Sequence, residues 1–143
     1  MKNDNDSWRD DFPLREEVED CRGKSRTFVI RCDEMGLGFT LRAQEHGVEQ
    51  GYEFAAYSET SPYSALGRLR QKMYRGLATH HITGPHGEYR MLHDSIAGRI
   101  TSDGEGGILL VVDGIPLSLA ELGSILASRE GWSFELQITD SLE

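Results

Sequence analysis

Leu37, Phe39, Leu41 and Ala43 alternate with Gly38, Thr40, Arg42 and Gln44, so one side of this stretch is apolar and the other polar. A period of two fits a strand with one wet face and fits no helix. The same rhythm returns near the end of the chain, where Trp132, Phe134, Leu136 and Ile138 alternate with Ser133, Glu135, Gln137 and Thr139. This predicts a last strand with one buried face.

Between these stretches the spacing changes. Ser61-Pro62 supplies a helix cap followed by proline at the first helical position, where its missing N–H costs nothing. Leu66, Leu69, Met73 and Leu77 then recur every three or four residues and predict a buried stripe on a helix reaching about Thr79. Ser118-Leu119-Ala120-Glu121 is a capping box opening a second helix over about 119–129, with Gly131 as its left-handed stop. Thr27–Cys32 reads as a strand turning at Asp33-Glu34-Met35-Gly36, and Tyr52–Ser58 as a third. Tyr89–Leu92 gives a short strand, and Ala97–Ser102 and Ile108–Val112 form a hairpin around Asp103–Gly107, its second strand buried on both faces. Asp113-Gly114 turns the chain.

Two helical and several strand patterns in 143 residues fit an α+β fold, a single domain over residues 25–143. We expect a mostly antiparallel sheet of about five to seven strands with both helices on one face. Phe28, Ile30, Phe39, Phe54, Leu66, Leu69, Met73, Ile108, Leu110, Val112, Leu122, Leu126, Trp132, Phe134 and Leu136 should fill its core. Residues 1–24 hold eight acids, five bases and few large apolar side chains, and predict a mobile acidic arm.

No run approaches the ~18 apolar residues that span a bilayer, and the start lacks the basic and apolar regions of a secretory signal. These features predict a cytoplasmic bacterial protein that does not enter membranes. Cys21 and Cys32 form no CxxC pair and read as reduced thiols, Cys32 within an apolar strand.

The net charge of −9, from 15 Lys and Arg against 24 Asp and Glu, opposes general attraction to nucleic acid. Yet Thr60–Ile100 carries six bases and two acids, net +4, which leaves −13 on the rest. Arg68, Lys72 and Arg75 line one side of the first helix with Arg70 beside them, a cationic face suited to an acidic protein partner or to the chain's own amino-terminal arm. A nucleic acid is the alternative ligand, with Tyr63 or Tyr74 to stack on a base.

Gly51-Tyr52-Glu53-Phe54, Arg75-Gly76-Leu77, Gly98-Arg99-Ile100, Val112-Asp113-Gly114 and above all Glu130-Gly131-Trp132-Ser133-Phe134-Glu135-Leu136 carry a family resemblance. Over roughly residues 36–140 the chain resembles a bacterial family catalogued only as a domain of unknown function, marked by a capped helix followed by an EGW-x-F-x-L strand. The chain carries Leu119 where that family often has an aromatic, and lacks the paired upstream cysteines of some relatives. The resemblance implies no activity, substrate or cofactor.

His80, His81, His86 and His93 fall within 14 residues near Glu88 and Asp94, types that together bind zinc or nickel. Their spacing matches no compact ligand motif. The plainer reading puts His80 and His81 at the end of the first helix and His86 in a turn. Gly104-Glu105-Gly106-Gly107 precedes a strand, so it reads as a hairpin loop in place of a phosphate cradle. No GxSxG elbow occurs, and Asp113 is the best single candidate for a perturbed acid. The sequence therefore points first to a non-catalytic interaction or regulatory module, with self-association among its expected contacts and no cofactor. A nucleic-acid accessory protein comes second, and a metal protein or enzyme using the His80–His93 segment third.

Overall fold

The computed structural model describes residues 4–143. Among these residues nine strands, two α-helices and short 3₁₀ turns make the fold α+β, but the strands form three antiparallel sheets of four, two and three strands in place of one sheet. The chain divides into two compact units in place of a single domain. One holds the residues up to Gly47 together with Glu53–Ala78 and Thr139–Glu143, and the other holds Val48–Tyr52 and Thr79–Ile138.

In the amino-terminal unit, β1 (Leu14–Glu19), β2 (Ser25–Met35), β3 (Gly38–Glu45) and β4 (Glu53–Ser58) form a meander in chain order. The hairpin turns at Gly36-Leu37, Gly36 with φ of 61°, so of the residues expected to turn Gly36 does, while Asp33, Glu34 and Met35 continue β2. Helix α1 (Pro62–Ala78) packs on β3 and β4. Its start is capped as the sequence predicts, the Ser61 hydroxyl accepting the N–H of Tyr63 at 3.1 Å. Leu66, Leu69, Met73 and Leu77 are all buried, facing a sheet that contributes Phe28, Ile30, Leu41 and Ala43. Gly76 lets α1 come close: a Cβ there would sit 2.6 Å from the Phe54 ring.

The segment expected as a mobile arm is built into this unit. Strand β1 pairs with β2 from Leu14 opposite Ile30 to Glu19 opposite Ser25. Leu14, Glu16 and Val18 are its half-buried side, an alternation that Glu16 hides in the sequence. Ahead of β1 a 3₁₀ turn over Asp4–Asp10 buries Trp8, whose ring lies 5.6 Å from that of Phe39. Asp20, in the turn between β1 and β2, accepts the N–H groups of Arg22 and Lys24 and the Nε of Arg26. Arg26 also reaches Glu45 at 2.8 Å, so one guanidinium joins two carboxylates that are each 9% exposed.

In the carboxy-terminal unit, β5 (Ile82–Thr83) pairs with β6 (Arg90–Met91), while β7 (Arg99–Ser102), β8 (Ile108–Val112) and β9 (Ile115–Leu117) form the three-stranded sheet. Asp113 and Gly114, with φ of 54° and 76°, make the two-residue turn between β8 and β9. Helix α2 (Leu119–Leu126) opens with the expected capping box and continues as a 3₁₀ turn to Arg129. Gly131 has φ of 89°, the left-handed stop.

This unit departs most from expectation. Its buried cluster is Ile82, Val112, Leu117 and Ile125. Ile108 and Leu126, expected in the core, are about half exposed, so β8 is buried on both faces only at its Val111-Val112 end. Among the described residues, 132–138 belong to no helix and no sheet. Trp132, Phe134 and Leu136 are therefore not core residues: they stand 63, 88 and 79% exposed.

Candidate functional site

The cationic face of α1 turns toward its own sheet. Arg68 donates to the Tyr57 carbonyl at 3.1 Å and Lys72 to the Ala55 carbonyl at 2.8 Å, both acceptors lying on the edge strand β4. Lys72 also donates to the Ser141 carbonyl at 3.0 Å. Its ammonium titrates below the ordinary range, because burial outweighs the pull of Asp140. Arg70 reaches the opposite edge strand, where its Nε and Nη2 both donate to Glu16 of β1. Positive side chains on an edge discourage pairing with another chain. Three of the four candidate bases thus brace both edges of one sheet, Arg70 on the very segment named as a possible internal partner. Arg75 lies exposed in the last turn of α1.

The four histidines are not gathered into one cluster. His81 and His80 lie beside Asp113, with Nδ1 of His81 2.9 Å from Oδ1 and Nε2 of His80 3.8 Å from Oδ2. The Asp113 carboxylate, 6% exposed, also accepts the backbone N–H groups of His81 and Ile82. His86 packs edge-on against Tyr89, and the exposed His93 offers its carbonyl to Arg129. Among the described residues, no group of three or more His, Cys, Asp or Glu side chains is placed to hold a metal ion.

Asp103 accepts the N–H groups of Glu105 and Gly107, which hold its carboxyl below the usual range and make the glycine-rich stretch a tight hairpin loop. The Cys32 thiol is pushed up to about 11 by burial and by Asp33 and Glu34, which keeps it a poor nucleophile. A cavity of about 290 Å³ lies over Trp8, Phe12, Arg31 and Cys32.

The feature that sequence reasoning missed is the row Trp132, Phe134, Leu136 and Ile138, the last 70% exposed. Arg129 stacks over the Trp132 ring at 4.4 Å and pairs with Asp94, which fixes one end of the row. The same unit exposes Ile100, Ile108, Leu119 and Leu126, the last two seven residues apart on one side of α2. The period-two pattern signalled which side chains share a face, but not that the face is open.

Residues 10–78 match a family described as a domain of unknown function, DUF7686, and residues 80–143 match a second, DUF7713. The two matches meet at the end of α1, where the chain divides into its two units. No curated protein and no solved structure matches the chain. Among the described residues, no helix is long and apolar enough to cross a membrane.

Proposed function

We propose that this chain is a non-catalytic interaction module whose binding surface is the apolar face of its carboxy-terminal unit. One observation carries the reading: eight large apolar side chains of that unit stand about half exposed or more, against a buried cluster of four. A unit of this size gains little from so small a core, and exposed apolar surface of this extent marks an interface. The cationic face of α1 enters the proposal as an internal brace, since Arg68, Arg70 and Lys72 bond within their own unit.

Affinity capture from the organism that makes the protein tests this, with the full chain and its Phe134→Asp, Leu136→Asp variant as baits. The expected result is a prey, the chain's own copy included, held by the wild type and lost from the variant. Identical prey on both baits overturns the reading.

A further inference from the structure

We propose that the occupant of the exposed row is a second copy of this chain, paired with it through residues 132–138. The proposal rests on the interaction-module reading and names its partner.

The first argument is area. An aromatic side chain buries about 150–250 Å² and aliphatic ones somewhat less, so Trp132, Phe134, Leu136 and Ile138 at their fractional exposures present roughly 600 Å² per chain. The largest apolar patch on a typical monomer is about 300–600 Å². Two such rows facing each other remove roughly 1,200 Å² from water, the lower bound of a specific interface.

The second argument is self-complementarity. Residues 132–138 alternate apolar and polar with the period of a strand and, among the described residues, pair with no other strand. A copy related by a two-fold axis can lay its own apolar row face to face on this one, apolar against apolar. Ser133, Glu135 and Gln137 alternate with the row and fall on the side away from the copy. Glu135, the one charge between Trp132 and Thr139, is thereby kept out of the contact.

The third argument concerns charge. The carboxy-terminal unit holds nine acids and three bases, a net −6, so two copies repel at a distance and attract only through the apolar row. Association should therefore tighten as salt rises, the reverse of an ionic complex.

Sedimentation of the purified full chain across micromolar concentrations, at low and high salt, tests the proposal. The expected result is a monomer–dimer equilibrium strengthened by salt and weakened at least about tenfold by Phe134→Asp with Leu136→Asp. A wild-type chain that stays monomeric throughout overturns the second-copy proposal, as does a dimer indifferent to the row variant. A foreign prey captured through the row by a chain that is itself monomeric overturns the second copy while leaving the module reading standing.

Discussion

Asp113 joins the turn between β8 and β9 to the backbone entering β5: Oδ1 lies 2.9 Å from Nδ1 of His81, and Oδ2 accepts the N–H groups of His81 and Ile82 at 2.9 Å each. A carboxylate only accepts hydrogen bonds, so Nδ1 of His81 carries the proton. Asp113 also holds φ of 54°, which aspartate tolerates better than most residues. The residue singled out in the sequence as a turn former and a candidate acid is a clasp.

Asp113→Ala leaves two N–H groups without their acceptor, one of them on the fully buried Ile82, and should destabilise the carboxy-terminal unit by about 2 to 4 kcal/mol. Asp113→Asn keeps an acceptor oxygen and the turn geometry, so its loss should be nearer about 1 kcal/mol. Hydrogen exchange at the Ile82 amide reads the difference directly. Equal protection in the wild type and the alanine variant contradicts the clasp.

Arg26 gives the amino-terminal unit a pH dependence of definite sign. Burial alone would raise the Asp20 pKa, but the hydrogen bond from Arg26 and those from the N–H groups of Arg22 and Lys24 outweigh it, and the carboxyl titrates below its ordinary value of 3.8. The unfolded chain then binds more protons in the window between the two values. Stability is complete above the unfolded value and is lost as pH falls through the folded one. Arg26→Met takes the shared guanidinium away from two carboxylates that are 9% exposed, Asp20 keeping the N–H groups of Arg22 and Lys24, at a cost of about 3 kcal/mol near neutrality. Part of that cost should return in acid as the carboxylates take up protons, so the variant's dependence runs opposite to the wild type's. Urea unfolding followed by the fluorescence of buried Trp8 tests this, and parallel pH curves for the two proteins exclude it.

Much of this architecture is written locally. The Ser61-Pro62 start and the stripe through Leu77 specify α1, and the capping box specifies α2, because each needs only neighbours within about four residues. Strand β1 was hidden because Glu16 counts as a solvated charge until Arg70, 54 positions away, comes to meet it. The bases of α1 were visible as a face, but the Tyr57 and Ala55 carbonyls they meet are backbone groups that no composition reveals. The row ending at Ile138 fails for the complementary reason. Alternation fixes which side chains point the same way, and a free strand and a buried one alternate alike.

Gly76 poses a contest between local and tertiary terms. In an exposed helix interior, alanine in place of glycine gains about 1 kcal/mol. Here the added methyl would sit 2.6 Å from Cε1 and 3.0 Å from Cζ of Phe54, whose ring lies 6.0 Å from that of the fully buried Phe28. The Phe54 ring is therefore already packed against a buried neighbour, and overpacking of this kind costs about 1 to 3 kcal/mol. The tertiary term should win: Gly76→Ala lowers stability by about 1 kcal/mol, although helix propensity alone predicts the opposite sign. Placing Gly76→Ala on a Phe54→Leu background removes the ring and restores the helical gain, so the same substitution should then stabilise. Urea midpoints read through Trp8 complete the double-mutant cycle, and the two substitutions should couple by at least about 1 kcal/mol. If Gly76→Ala stabilises the wild-type protein, α1 does not approach β4 as closely as the glycine indicates.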